Sequence, residues 1–444
     1  MQDFSVAQLI LPEGMLDYFL LSDIEQTDEH IYISLTEKNT KPEQYGSEHL
    51  ESKGFFDPIK VQDFPLRTKT VYLLIKRRKW LNHSTGNIVY RDWELVAKGT
   101  RITKEFGAFL KHWLDTQPVS ANSVGTYFKV DGKQLEEHYR CHLSHYHSWD
   151  QREHAQDWIL FEHNVGPCLS IDETALSQGE LYTIITNKAA KGRKGALIAM
   201  VKGTNSDKVR AVLEKIPVRK RNQVIEVTLD MAASMEKIVR YSFPKASLVT
   251  DRFHVQKLAY DAVQEMRIQY RWEAIEQENQ EIALSRELGR KYIPDLLENG
   301  DTLKQLLARS RYLLFKTRSS WTPSQEHRAE LLFKYYPLLE QAYELSMQLG
   351  KIFHSTKDKG IAFTRLARWY DQVEKAGFKS FNVVARSIQA HYLTILNYFD
   401  NRSTNAAAES FNAKIKAFRS AFRGVKNVSY FLFREQEQKL WSLG

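Results

Sequence analysis

Val165-Gly166-Pro167-Cys168-Leu169-Ser170-Ile171-Asp172 opens the stretch that decides the fold, an apolar run that ends on a carboxylate. The pattern recurs in Val224-Ile225-Glu226-Val227-Thr228-Leu229-Asp230 and in Ala246-Ser247-Leu248-Val249-Thr250-Asp251. Short apolar, β-branched runs of this kind read as buried strands. Two further strands, 179–186 and 195–201, lie between the first and second runs. The basic link Lys188-Ala189-Ala190-Lys191-Gly192-Arg193-Lys194 joins them as an antiparallel turn would. Ser206–Ile216 reads as an amphipathic helix with a capping start, and Met235–Phe243 as another, halted by Pro244.

The order β-β-β-α-β-α-β is that of an RNase H-like α/β core: three antiparallel strands, then two added in parallel through crossover helices. Beyond His254 the pattern is helical to about residue 400, which reads as one long all-helical insertion within the core. Ala406-Ala407-Ala408-Glu409-Ser410-Phe411-Asn412-Ala413-Lys414-Ile415-Lys416 then reads as the final core helix, followed by a basic tail.

Upstream, residues 1 to about 100 are β-rich. Ile31–Leu35 reads as a strand, and Thr70–Ile75 with Ile88–Trp93 as a hairpin around 82–87. The shoulder Lys76-Arg77-Arg78-Lys79-Trp80 suits phosphate contact, because cations release counterions and an indole stacks. A charged edge strand kept soluble is the competing reading. Phe106, Phe109, Leu110 and Trp113 fall at helical spacing. After Pro118, Ser120 caps a short helix to Phe128. Val130-Asp131-Gly132 turns into a second, which carries Lys133 and Arg140. Two short helices around a Gly-containing turn fit a helix-turn-helix with DNA contact. His138, His142, His145 and His147 lack the spacing of a zinc module and read as a polar linker.

An aspartate at a strand end is often only a turn or cap residue. Here the first and fourth strands of the expected core lie side by side, so Asp172 and Asp230 emerge together. Paired carboxylates are costly without cations. Oxygen-only ligands suit Mg²⁺ or Mn²⁺, and two ions roughly 3.5–4 Å apart can serve both the attacking and the leaving oxygen of a phosphodiester. Asp251 competes for the second position; Asp230 is preferred because its strand adjoins the first. Asp251 and His254 are then accessory residues at the rim, with helix capping as the plain alternative for Asp251. Three alanines before Glu409 allow its helix close approach to the sheet. Asn412 and Lys416 share its face at helical spacing. Glu173 points to the opposite face of its strand.

Net charge of +9 over 444 residues favours a polyanionic partner, and 43% hydrophobic content supports two or three domains. Cys141 and Cys168 form no disulfide framework, which fits a reducing cytoplasm. No run approaches the ~18 apolar residues of a membrane span.

At these motifs the chain resembles the bacterial DDE-type insertion-sequence transposases of the ISL-three family. Ser170-Ile171-Asp172-Glu173, Thr228-Leu229-Asp230-Met231, Phe243-Pro244-Lys245-Ala246, Asp251-Arg252-Phe253-His254-Val255 and Asn405–Lys416 carry the likeness, over roughly residues 165 to 435. The resemblance implies metal-dependent strand cleavage and strand transfer at terminal inverted repeats. It places the catalytic and metal-binding triad at Asp172, Asp230 and Glu409, with two Mg²⁺ per site and Mn²⁺ as substitute. Family members often carry an N-terminal cysteine-rich zinc module, and this chain has no cysteine pairs for one.

The expected organisation is 1–100, β-rich; 101–150, helix-turn-helix-like; 160–254, first part of the catalytic core; 255–400, helical insertion; and 401–444, final core helix and basic tail. Double-stranded DNA is the expected partner, both as inverted repeats and as target. Its candidate contacts are Lys76, Arg77, Arg78, Lys79, Lys133, Arg140, Lys191, Arg193, Lys416, Arg419 and Arg423. A homodimer or larger synaptic complex follows from the need to hold two ends. No membrane or small-molecule substrate is expected, and the setting is the bacterial cytoplasm at the nucleoid. A nuclease or resolvase that cuts without joining, and a retired transposase that only binds DNA, are the alternatives.

Overall fold

The structure is a computed structural model of the chain and describes residues 9–91, 93–176, 179–422, 425 and 427–437. It divides into two compact units, Met1–Ile159 with Ala175–Glu180 and Asn412–Gly444, and Leu160–Thr174 with Leu181–Phe411.

In the first unit, strands β1 (Phe19–Gln26), β2 (His30–Glu37), β4 (Ile59–Leu66) and β5 (Lys69–Lys76) form a sheet in the order β1-β2-β5-β4. β2 and β5 run parallel. Alternation turns Ile31, Ile33 and Leu35 of β2 and Val71, Leu73 and Ile75 of β5 into one core. Strands β3 (Leu50–Phe55), β6 (Arg78–Asn82) and β7 (Ile88–Val89) make a second sheet, in the order β3-β6-β7. The hairpin around 82–87 is therefore built from β6 and β7, not from Thr70–Ile75. β5 ends at Lys76, and Arg78 begins the strand that pairs with β7.

Thr103, Ser120 and Asp131 cap the helices Lys104–Thr116, Ala121–Phe128 and Gly132–His138 with their side-chain oxygens. The last two helices meet at glycines. A Cβ on Gly125 would lie 2.4 Å from the Val130 carbonyl oxygen, and one on Gly132 would lie 2.5 Å from Asn122 Cα. Only glycine allows this corner. The described residues from 412 onward belong to this unit: Tyr430 and Phe433 of helix Val428–Glu437 complete the core of Phe106, Leu110, Leu135 and Tyr139. Apolar positions in the last turns carry that packing, a signal outweighed in the sequence by the neighbouring basic residues.

β8 (Trp158–Leu160) ends where the second unit begins. That unit's sheet comprises β9 (Cys168–Ala175), β10 (Leu181–Asn187), β11 (Leu197–Lys202), β12 (Glu226–Leu229) and β13 (Ser247–Thr250), in the order β13-β12-β9-β10-β11. β12 runs parallel to both its neighbours, and β10 and β11 are antiparallel. Helices Ser206–Leu213 and Ala233–Ser242 precede β12 and β13 as crossovers. The cap of the first is Asn205, not Ser206: its side chain accepts from the Asp207 and Lys208 N–H groups.

From Arg252 to Asn401 the described residues hold helices and no strand. The first, Arg252–Glu287, contributes Val255, Ala259, Ala262 and Val263 to a core completed by helices Pro337–Ser355, Lys359–Ala376 and Lys379–Ala390. Two contacts tie these helices to the sheet edge. Asn397 Nδ2 donates to the Leu248 carbonyl at 2.8 Å, and the Thr250 and Thr394 hydroxyls lie 2.7 Å apart.

Candidate active site

The parallel registers bring three aspartates into one row. β12 pairs with β9 up to Thr228↔Ser170 and with β13 up to Leu229↔Thr250. Carried one or two residues further, the same registers set Asp172, Asp230 and Asp251 at neighbouring positions on three adjacent strands, Asp230 in the middle. Adjacent strands lie about 4.8 Å apart, and paired residues in parallel strands share a face. Asp172 does not end its strand, since β9 continues to Ala175; β12 stops earlier, at Leu229.

Each aspartate uses one oxygen on the backbone. Asp172 Oδ1 accepts from Glu173 N and Asp230 Oδ1 from Ala232 N, both at 2.8 Å. Asp251 Oδ1 accepts from Phe253 N at 3.1 Å and caps the helix Arg252–Glu287. Its other oxygen faces His254 Nδ1 at 3.7 Å, an ion pair too long for a hydrogen bond. The Asp251 side chain is fully buried.

Glu409 stands in the first turn of helix Ala406–Ala421, its N–H donating to the Asn405 carbonyl at 2.9 Å. Burial pushes its carboxyl up, and the charges of Asp251 and Asp172 push it further. Burial likewise raises Asp172, helped by the charges of Asp230 and Asp251, and raises Glu173, helped by Asp230 and Asp172. His254 is raised chiefly by Asp251, then by Asp230 and Asp172. The four carboxylates Asp172, Asp230, Asp251 and Glu409, with one imidazole, thus form a single electrostatic neighbourhood.

Sequence reading missed the support beneath this row. Glu226 lies on the same face of β12 as Asp230, two alternations earlier, and is 4% exposed. Its carboxylate accepts from Lys188 Nζ at 3.0 Å, from Asn401 Nδ2 at 3.2 Å and from the Ser403 hydroxyl. Lys188 also donates to Ser403 Oγ at 2.7 Å and to the Thr228 hydroxyl. Burial pushes the Glu226 carboxyl up, but the bonds from Ser403 and Lys188 outweigh it and hold it below its ordinary value. A single carboxylate inside the apolar run 224–229 was the available signal. Asn405, 1% exposed, was missed too; neither atom of its side-chain amide has a hydrogen-bond partner among the described residues.

No group of three or more His, Cys, Asp or Glu side chains among the described residues is gathered closely enough to cage an ion. The donor chemistry nevertheless fits a hard divalent cation: the donors are oxygens, Asp172 and Glu409 carry raised carboxyls, and the Asn405 amide beside Glu409's helix is unbonded.

The family model of the ISL-three (ISL3) DDE transposases, described as Transposase, matches residues 169–435. The chain belongs to this transposase family. The class acts on DNA and generally works with divalent metal ions. No curated protein matches the transposase. A similar solved chain is that of the "Drosophila P element transposase strand transfer complex", 12% identical with a TM-score of 0.32, over 77% of this chain and 93% of that one.

The candidate DNA-contacting cations of the transposase divide by environment. Arg78 is engaged internally, its guanidinium donating to Ser52 Oγ at 2.8 Å and to the Glu37 carbonyl at 3.3 Å. Lys76, Arg77 and Lys79 lie over the rings of Phe55, Phe56 and Tyr90. Lys133 is exposed and Arg140 half-buried. Lys191 and Arg193 are exposed around Gly192, where a Cβ would meet Ser410 Oγ at 3.2 Å, so their loop abuts the turn carrying Glu409. In the first unit, Asn412 is buried, Lys416 is exposed, and Arg419 donates to the Ala175 carbonyl at 3.2 Å. Arg423 lies outside the described residues. No helix among the described residues is long and apolar enough to cross a membrane.

The raised carboxyls carry a stability signature. Asp172, Glu173 and Glu409 bind protons more tightly folded than unfolded. Their contribution is complete below the unfolded carboxylate value of about 4 and is lost as pH rises through the raised folded values. Without divalent ions at neutral pH, Asp172→Asn is therefore expected to melt above wild type. Mg²⁺ or Mn²⁺ should raise the wild-type midpoint and not the variant's. Thermal unfolding across pH checks both; a variant less stable than wild type at neutral pH contradicts the expectation.

Proposed function

We propose that this protein is an RNase H-like DDE transposase that cuts DNA at the terminal inverted repeats of a bacterial insertion sequence and joins the freed ends to target DNA. The observation that carries the reading is the row Asp172, Asp230 and Asp251 on adjacent strands, with Glu409 in its field, in a chain of the transposase family. Asp172, Asp230 and Glu409 would hold two Mg²⁺, which supply charge neutralisation at the phosphate and activation of the attacking oxygen. Asp251 fixes the start of the long helix and holds His254 against the row. The Glu226–Lys188–Ser403 cluster seats the segment leading to Glu409. In the reaction a water oxygen, and later the freed 3′-hydroxyl, bonds to phosphorus while the opposite P–O3′ bond breaks, so no side chain need become covalently linked to DNA.

The corner 121–138 serves as a helix-turn-helix, with Lys133 and Arg140 at DNA. Lys191, Arg193 and Lys416 take phosphates. Two ends must be held at once, so the working form is a dimer or larger assembly in the bacterial cytoplasm. The test is incubation with labelled terminal-repeat duplex and Mg²⁺ or Mn²⁺. Nicks with 3′-hydroxyl ends and joined products are expected, both abolished by a chelator. Cutting without joining favours a nuclease or resolvase. Binding without cutting favours a retired, DNA-binding descendant.

A further inference from the structure

Two cavities among the helices of the second unit share a lysine and a charge. The first, about 540 Å³, begins at Arg252 and Phe253, the two residues after Asp251, and continues past Gln256, Tyr260, Lys351 and His354. The second, about 320 Å³, is lined by Lys351 again, with Arg365, Arg368 and Trp369. Neither lining holds an aspartate or glutamate. Other cavities among these helices do, with Glu278, Glu281 and Asp295 in one and Glu326, Glu330 and Glu340 in another. The cationic lining is therefore local and not a reflection of overall charge.

Phe253 is 45% exposed in a helical first turn. The Arg252 guanidinium carbon lies 4.4 Å from its ring centroid, so the ring and its cation form one plate. Gln256 is oriented by Ser346: its Nε2 donates to the Ser346 carbonyl at 3.1 Å and to its hydroxyl at 3.3 Å. The Gln256 carbonyl oxygen is itself buried and has no partner among the described residues. A Cβ on Gly350 would come within 3.0 Å of that oxygen, so glycine there leaves it room. On the far side of Lys351, Arg365 is braced by the Ser355 and Thr356 hydroxyls at 3.1 and 2.8 Å.

An aromatic plate and a separate cluster of cations match the bases and the phosphates of one unpaired nucleotide strand. The plate stacks a base face, and the cations hold phosphates. A duplex hides its base faces in its own stack and cannot use such a plate. We propose that the two cavities flanking Lys351 hold an unpaired segment of the DNA strand being processed, a base over Phe253 and phosphates at Lys351, Arg365 and Arg368. The proposal rests on the transposase reading and adds the form the strand takes beside the carboxylate row.

The test measures binding of the full chain to a labelled single-stranded thymidine oligonucleotide of about 12 nucleotides, and separately to a terminal-repeat duplex. Phe253→Ala, and the double variant Lys351→Gln/Arg368→Gln, are expected to weaken single-strand binding by about tenfold or more. Duplex binding should change by about twofold or less. Lys334→Gln, which removes a cation outside both cavities, should leave single-strand affinity as it was, and thermal midpoints confirm that all variants fold. Unchanged single-strand affinity in the cavity variants, or an equal loss in Lys334→Gln, overturns the proposal. Wild type that cuts duplex ends while the cavity variants still hold the single strand overturns the cavities alone. A chain that never cuts, but whose cavity variants lose the single strand, keeps the cavities and overturns the transposase reading.

Discussion

Asp172→Asn, Asp230→Asn and Glu409→Gln are each expected to lower strand cleavage by about three orders of magnitude or more, the loss of several kcal/mol of charge stabilisation at phosphate. DNA binding should survive in all three, since the positive charges outside the row are untouched. Asp251→Asn is the informative comparison. Asp230 stands between Asp172 and Asp251, so it lies one strand spacing from Asp172 where Asp251 lies two. Asp230 is only half-buried, whereas the Asp251 side chain is fully buried, with one oxygen capping a helix and the other facing His254. On the proposed reading Asp230 is the ligand and Asp251 a positioning residue, and Asp251→Asn is expected to cost about tenfold, the scale of a lost supporting contact. One observation points the other way: the Asp251 charge acts on Glu409 more strongly than that of Asp172. An active Asp230→Asn beside a dead Asp251→Asn would move the middle of the triad to Asp251.

Glu226→Ala is expected to destabilise the protein by about 3–5 kcal/mol, because it strands the Lys188 ammonium in a largely buried site. For a unit of this size that is a fall in melting temperature on the order of 10 °C. Lys188→Ala should act similarly. The double replacement Lys188→Met/Glu226→Leu should recover most of the loss, since well-packed apolar groups can replace a buried ion pair. The contribution of Glu226 depends on pH with the usual sign for a depressed carboxyl. It is present above the unfolded value of about 4.3 and is lost as pH falls through the lower folded value. Because Ser403 and Asn401 share the cluster, cleavage should also fall at temperatures well below unfolding. Calorimetry alongside the cleavage assay separates the two effects. A Glu226→Ala protein that melts like wild type would sink this account.

The second unit was legible because each of its strands is a short apolar run with a turn signal at its end. The row of aspartates was legible because parallel registers follow from that order. Asp172 falls beside Asp230 in register, although its strand runs three residues longer than expected. The first unit was harder to read. Its central pairing joins β2 to β5 across most of the intervening chain, and nothing local announces a parallel neighbour at that separation. The hairpin was misplaced because Lys76 and Arg77 carry the chain from one sheet to the next without a glycine or proline. Lys188 read as one more cation in a basic link, and only the fold shows that it turns inward to Glu226. Cavities leave still less trace, since Arg252 comes from a helix about 100 residues before the two that carry Lys351 and Arg368.

Glu409 follows Asp172 by about 240 residues, with the whole helical region between them. At about 5–20 residues per second of synthesis, Asp251, the last of the three aspartates, leaves the ribosome roughly 8–30 s before Glu409 does. Throughout that interval the growing polypeptide holds the aspartates and lacks the final acid. A product of premature termination is in the same position, so on the proposed triad an unfinished copy lacks an acid that strand cleavage requires.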